Sequence, residues 1–536
     1  MLGWMLKYSR GARGAILITI IIGVVSIVAM LGFVATCKSI IDIATGTKEG
    51  DFFLMVAVMG GIMLVDIILA AVNTRVVKLS GVALQNRLRH STFLHLLNTC
   101  WRGREQHHSG DMMTRIEGDI KSVTEFVTST LPGAIVSVFQ FCGAFAFLLL
   151  LDKRLAMIMV FILPIALVVS KVWYKRMKRL THEVRNSDSQ IHSHIQEGIQ
   201  HKLVVKTSRA SEKLSNVLDG LQSTLFIRTV NHTRFMIASR AIVSLGFAAG
   251  YLVTFSYGAY QLKEGLITYG VMIAFLQLVA QVQRPVSQLA SVVSSFSFAA
   301  TAADRLDELN LLPIDEQGEE LLLNSPCGVE VRDIKFIYDD GTQTVLDKFS
   351  CNFPIGSRTI VVGETGAGKT TLFRLLLALV KPINGEVLLY NNVESVKVSP
   401  LTRLNFIYVP QGNTLFSGSI RNNLLMVNAN ATDDMLRDVL HTAVADFVWD
   451  LPDGVDTVCG EDGGMLSEGQ AQRIAIARGL LSGGSVLLFD EFSSALDSET
   501  ERELMQRLIA GYRDKTMIFI THRLESFADC EVCRIK

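Results

Sequence analysis

The stretch Gly363-Glu364-Thr365-Gly366-Ala367-Gly368-Lys369-Thr370, followed by Thr371, has the residue types and spacing of a loop that holds phosphates. Its glycines let backbone N–H groups close around phosphate oxygens, and the helix expected to follow presents its positive end to them. Lys369 neutralises charge, and the Thr370 hydroxyl is placed to hold Mg2+. Downstream, Val486-Leu487-Leu488-Phe489 reads as a buried parallel strand. Asp490 at its C-terminal edge is then within reach of the same ion, and Glu491 is placed to polarise an attacking water. Together these residues imply a nucleotide site equipped for hydrolysis.

Positioning such a loop takes a strand before it and a helix after it. Val329 to Val331 and Ile334 to Tyr338 begin strand-like alternation, and the order strand, glycine-rich loop, helix, later strand predicts an α/β nucleotide-binding domain over 326–536. An acidic, Pro313-containing stretch precedes it, so 306–325 is read as a linker and 1–305 as a separate domain.

That first domain is a membrane domain by its apolar runs. Gly14 to Cys37 carries no charge, Phe52 to Val72 carries only Asp66, and Phe126 to Leu151 carries none; each suffices to cross hydrocarbon. Further runs near 155–172, 241–262 and 266–283 bring the count to six expected spans, at about 14–37, 52–72, 126–151, 155–172, 241–262 and 266–283. Lys7, Arg10 and Arg13 precede the first span, and the segments after spans two and four are strongly basic, which puts them in the cytoplasm. The even number of spans returns the nucleotide domain to the same side. The first apolar run is too long for a signal h-region and reads as a retained helix.

Zero net charge conceals a split, with 31 basic against 17 acidic residues up to 305 and 20 against 34 beyond. The basic half alternates with membrane spans, so its charge serves topology and inner-leaflet contact, and no nucleic acid partner is expected. Eight scattered cysteines form no disulfide framework, and Cys530-Glu531-Val532-Cys533 reads as strand alternation. Nine of eleven histidines, among them His107, His108, His192 and His194, fall in the cytoplasmic segments and read as polar helix surface. In the same segments Ser109-Gly110-Asp111 breaks and caps a helix, and Met112 to Asp119 reads as a short one.

With Leu466-Ser467-Glu468-Gly469-Gln470 the chain resembles the ATP-binding-cassette, or ABC, transporter superfamily, whose signature has Gly where Glu468 stands. The remaining motifs follow in the family's order. Tyr338 is similar to the aromatic that stacks on adenine, Gln411 in Val409-Pro410-Gln411 to the glutamine lid residue, Asp497 in Ser494-Ala495-Leu496-Asp497 to the D-loop acid, and His522 to the switch histidine. Gly110 to Asp119 resembles the stretch beside a coupling helix, Glu197 to Lys206 the second cytoplasmic excursion, and Glu461-Asp462-Gly463 a loop that touches those excursions.

The resemblance implies an exporter-type half-transporter: an α-helical membrane domain of six helices with long cytoplasmic extensions, fused to a P-loop ATPase. It implies a dimer, most simply of two identical chains, with ATP held between the phosphate loop of one and Ser467 and Gly469 of the other. Glu491 and His522 are the expected catalytic residues, with Thr370, Gln411 and Asp490 around Mg2+. The expected activity is ATP-driven export or flipping of a hydrophobic or amphipathic molecule, such as a lipid, drug or peptide, across a bacterial cytoplasmic membrane. The alternative is a regulatory or gating ATPase of the same architecture. Asp66, an acid within an apolar span, is the candidate substrate contact.

Overall fold

The computed structural model describes residues 3–101, 112–113, 115–323, 326–338, 341, 343–460, 465–521 and 530–535; at 158–175, 178, 286–287, 290–291 and 293–294 it describes the backbone. Ser109, Gly110, Asp111, His107 and His108 lie outside these residues. The chain divides into two units, Met1–Phe93 with Gly110–Leu309, and Leu94–Ser109 with Asn310–Lys536.

The first unit is helical. A short helix α1 (Gly3–Tyr8) leads to α2 (Arg13–Ala44) and α3 (Phe52–Leu97). The run α4 (Arg115–Leu151) follows with two π turns, at Arg115–Asp119 and Phe126–Thr130. Then come α5 (Lys153–Gln200), α6 (Lys202–Thr207), α7 (Ser211–Lys263) and α8 (Tyr269–Asn310). Arg115 to Asp119, expected within a short separate helix, are the first turns of α4 instead. Helices α2, α3, α4 and α7 are long and apolar enough to cross a membrane. The 46 residues of α3 extend about 70 Å at 1.5 Å per residue, more than twice a hydrocarbon core of about 30 Å, so much of the helix leaves the bilayer.

Polar residues fix the helix ends. Asp152 caps α5, accepting from the Arg154 and Leu155 N–H groups, and also accepts from Gln261 Nε2 at 3.1 Å on α7. Buried Asp42 near the end of α2 accepts the Gly270 N–H of α8 at 3.2 Å, satisfying a donor that the helix start leaves free. Where Gly23 of α2 meets α4, an added Cβ would lie 2.4 Å from Val136 Cγ2, so only glycine permits that approach. At the other end, Arg115 pairs with Glu308 and Arg305 with Asp119, both at 2.9 Å, binding the start of α4 to the end of α8.

The second unit carries two sheets. One, in the order β2 (Leu346–Phe353), β1 (Gly328–Phe336), β4 (Asn384–Tyr390), β5 (Ser395–Lys397), is antiparallel. The other is parallel, in the order β6 (Phe406–Val409), β7 (Val486–Asp490), β8 (Thr516–Ile520), β3 (Arg358–Val362), β9 (Glu531–Arg534). Every residue of β7 and β8 is buried, as expected of continuous apolar strands covered on both faces. Helices α9 (Lys369–Leu376), α10 (Ile420–Leu425), α11 (Asp433–Thr442), α12 (Glu468–Leu480) and α13 (Ser498–Gly511) are the α-helices among the unit's described residues. Cys533 lies within β9, and none of the eight cysteines is in a disulfide.

Candidate functional site

Strand β3 ends at Val362, and the chain turns through Gly363 to Gly368 into α9. Gly366 has φ +88° and Gly368 φ +97°, left-handed conformations that glycine adopts without cost. At Gly368 a Cβ would also lie 2.9 Å from Val345 Cγ1, so side chains are excluded on two grounds. Lys369 is buried beneath the loop, its Nζ donating to the Gly363 carbonyl at 2.8 Å and the Glu364 carbonyl at 3.1 Å. The ammonium is therefore held at the centre of the ring of backbone that would take phosphates.

Beside this loop, the neighbouring strands β6 and β7 deliver their C-terminal ends together. Asp490, last residue of β7, is 3% exposed, and its Oδ1 is buried with no hydrogen-bond partner among the described residues. Burial pushes its carboxyl above the ordinary carboxylate range, against an opposing hydrogen bond from Thr370. Its charge adds to burial in pushing the nearby Tyr408 phenol up to about 12. An unpartnered carboxylate oxygen beside the Thr370 hydroxyl is an all-oxygen donor set suited to a hard cation such as Mg2+.

Glu491 follows with φ +47°, a left-handed backbone that strains a non-glycine residue by about 1–3 kcal/mol. Its N–H donates to Ile520 on β8 at 2.9 Å, and its Oε2 accepts from Gln411 Nε2 at 2.7 Å. The strain turns the carboxylate away from the strand direction and toward Gln411. Sequence alone placed Glu491 after a buried strand but carried no signal for this backbone turn.

Tyr338 joins the loop through its hydroxyl, 2.9 Å from Thr371 Oγ1 and accepting from Arg374 Nη1 at 2.8 Å, while Phe336 meets its ring edge-on at 4.8 Å. Arg374 in turn stacks 4.4 Å from the Trp101 ring. Trp101 is held by the segment after α3, where Cys100 N–H donates to the Pro313 carbonyl and Asp315 N–H to the Asn98 carbonyl, each at 2.8 Å. Sequence reasoning missed both Arg374 and Trp101, since neither belongs to a motif and their proximity depends on tertiary folding.

The signature residues form a second group. Ser467 caps α12: its Oγ accepts the Gln470 N–H at 3.2 Å, and Gln470 Oε1 accepts the Ser467 N–H at 2.9 Å. Glu468 sits in the first turn, where a carboxylate favours the helix dipole. A Cβ on Gly469 would lie 2.8 Å from the Ala495 carbonyl oxygen, so α12 begins directly against the turn that leads to Asp497. Asp497 caps α13, accepting from Glu499 N–H, Thr500 N–H and Thr500 Oγ1, and these bonds hold its carboxyl below the usual range. Among the described residues, no hydrogen bond joins Ser467, Glu468, Gly469 or Gln470 to the phosphate loop. His522 and Glu461-Asp462-Gly463 lie outside the described residues.

Two family models match this chain in tandem, the ABC transporter transmembrane region over residues 16–286 and the ABC transporter model over 346–494. The chain belongs to the ABC transporter family. This transporter is 26% identical over 495 residues to the uncharacterized ABC transporter ATP-binding protein YknV of Bacillus subtilis, covering 91% of this chain and 81% of the relative. It is 26% identical over 453 residues to the putative multidrug export ATP-binding/permease protein SAB1799c of Staphylococcus aureus, covering 83% and 78%. Its fold is that of a bacterial Atm1-family ABC exporter solved with ATP bound, at a TM-score of 0.82, 23% identity and coverage of 98% and 93%. The transporter is thus an integral membrane protein that couples an ATPase to export.

Proposed function

We propose that the transporter works as a homodimer in a bacterial cytoplasmic membrane, exporting or flipping a hydrophobic or amphipathic molecule, with its nucleotide-binding unit in the cytoplasm. The observation that carries this reading is Glu491, turned by a strained backbone onto Gln411 directly after the buried Asp490. Such a turn is retained where a carboxylate must face reactants, and a chain that only bound nucleotide would have no need of it.

Thr370, Asp490 and Gln411 would hold Mg2+, which supplies charge neutralisation on the β- and γ-phosphates when bound. Gly363 to Thr371 would enclose the phosphates through backbone N–H groups, and Tyr338 would stack on the base. Glu491 would orient a water for in-line attack and accept its proton, while Gln411 holds the carboxylate in place. Ser467 and Gly469, from the start of α12, would close on the nucleotide of a partner subunit, with Asp497 ordering that turn. His522 is assigned the γ-phosphate by its sequence position. The multidrug name of the staphylococcal relative supports an amphipathic cargo. In the membrane unit, Asp66 accepts from Ser26 Oγ at 2.7 Å, which would hold a carboxylate within the span for a substrate contact.

The test is ATP hydrolysis by the purified protein in nanodiscs, wild type beside Glu491→Gln, across a panel of lipids, peptides and amphipathic drugs. Hydrolysis that is abolished by the substitution and raised by one compound class supports a pump and nominates its cargo. Negligible wild-type hydrolysis with intact ATP binding would favour a regulatory ATPase.

A further inference from the structure

One cavity in the membrane unit is left unused by the ATPase and by Asp66. It occupies about 350 Å³ among α2, α3 and α4, within the range of small-molecule sites. Lys78, Asn73, Thr19, Ser129 and Gly133 are the lining residues that give it its character, and among the described residues no acidic side chain contributes to its wall.

Depth follows from helix geometry. Lys78 lies six residues past Val72, the end of the expected second span, hence roughly 9 Å beyond the hydrocarbon edge and at headgroup level. Thr19 lies five residues after Gly14, the start of the first span, and therefore roughly 8 Å inside the hydrocarbon. The cavity therefore runs from the headgroup layer into the acyl region. Alongside Lys78, Leu79 and Val82 are 60% and 57% exposed, so the neighbouring surface is apolar.

Its chemistry is equally specific. Lys78 makes no ion pair among the described residues, leaving a cation at the mouth without a carboxylate to neutralise it. Asn73 Oδ1 is buried with no donor reaching it among the described residues. A ligand that satisfies both carries a negative charge and a hydroxyl donor. The gap is also built in: a Cβ on Gly133 would meet nothing within 4 Å, whereas at Gly23, on the same wall, α2 and α4 are in tight contact.

We propose that this cavity binds the headgroup of an anionic, hydroxyl-bearing glycerophospholipid from the inner leaflet, with Lys78 on the phosphate and Asn73 accepting from the headgroup hydroxyl. The leaflet assignment rests on the cytoplasmic orientation proposed above. A basic pocket between helices at the cytoplasmic surface is the arrangement that selects acidic lipids.

The test is native mass spectrometry of the full-length, nucleotide-free protein after incubation with phosphatidylglycerol or phosphatidylcholine. Wild type is expected to retain one more phosphatidylglycerol than phosphatidylcholine per chain. Lys78→Ala is expected to reduce that preference about fivefold and Lys78→Arg to preserve it. Gly133→Leu, which fills the cavity without touching charge, should abolish it, with a melting temperature near wild type showing that the fold is kept. Equal retention of both lipids by wild type, or undiminished preference in Lys78→Ala and Gly133→Leu, would overturn the proposal. So would protection of a Gly133→Cys thiol by a partner subunit in lipid-free dimer, which would mean a second copy fills the space. Labelling of Lys78→Cys from outside intact cells by a membrane-impermeant maleimide would overturn the leaflet assignment. Lipid retention is read without nucleotide, so its failure is separable from failure of the export reading.

Discussion

Gln411 Nε2 donates to Glu491 Oε2 across 2.7 Å, joining residues that follow two neighbouring strands. The parallel pairing of β6 and β7 makes this contact, because both chains leave the sheet at the same edge. A glutamine here cannot take the proton that a glutamate can. Glu491→Gln is therefore expected to lower kcat by at least about 100-fold while ATP binding is retained, measured by phosphate release beside nucleotide binding. A loss of binding equal to the loss of turnover would instead make Glu491 a structural residue.

Arg374 links Trp101 to Tyr338, and through its bond to the Tyr338 hydroxyl it constrains the ring expected to meet the base. Removing the guanidinium costs one hydrogen bond and one cation–π contact, together about 1–3 kcal/mol. Arg374→Ala should raise the KM for ATP about tenfold with kcat changed far less. Trp101→Ala should do the same to a smaller degree, since Tyr338 keeps its bond to Arg374. Equal effects on kcat and KM would show that the network serves hydrolysis and not base positioning.

The phosphate loop and the acid after it were legible in the sequence because each rests on local rules: glycine where the backbone takes a positive φ, and Asp490 ending an apolar strand. A helical membrane domain was legible from charge-free runs, and among the described residues four helices are long and apolar enough to cross a membrane. What was not legible depends on distant segments meeting. The separation of Arg374 from Trp101 in sequence hides their stacking, and nothing local announces the π turn by which Arg115 to Asp119, read as part of a short helix, open α4. The glutamate's left-handed backbone, whose N–H meets the Ile520 carbonyl on β8, likewise has no signal in its sequence neighbours.

Gly469 packs so closely that a methyl group would meet the Ala495 carbonyl at 2.8 Å. Backbone cannot yield there as a side-chain tip would. Gly469→Ala should force the start of α12 from the turn before Asp497, with overpacking of about 1–3 kcal/mol. The expected result is a measurably lower melting temperature and hydrolysis reduced at least tenfold, whereas Glu468→Gly, on an exposed position in the same turn, should preserve both within about twofold.

Asp490 gives a pH signature. Burial raises its folded pKa above the unfolded value, so the folded state keeps the proton where the unfolded state has lost it. Its contribution to stability is favourable at low pH and is lost as pH rises from the ordinary carboxylate range through the raised folded value. At neutral pH the nucleotide-free protein therefore bears the cost of a buried charge. Asp490→Asn should raise its melting temperature at pH 7 and have little effect near pH 3. The same variant should lose the extra stabilisation that magnesium adds to ATP. A lower melting temperature at pH 7 would show that the carboxylate is a net stabiliser of the empty site.

Asp66 and Ser26 separate charge from hydrogen bonding within the membrane. Asp66→Asn keeps an oxygen for the Ser26 hydroxyl but removes the charge; Ser26→Ala removes the bond but keeps the carboxylate. If the charge meets the cargo, Asp66→Asn lowers transport at least tenfold relative to its own ATPase rate, while Ser26→Ala changes that ratio less than threefold. The margin is wide because an isolated charge at this depth exceeds one neutral hydrogen bond several-fold in energy. Parallel loss of transport and hydrolysis in both variants would mean that the pair holds α2 to α3 and that the cargo is recognised elsewhere.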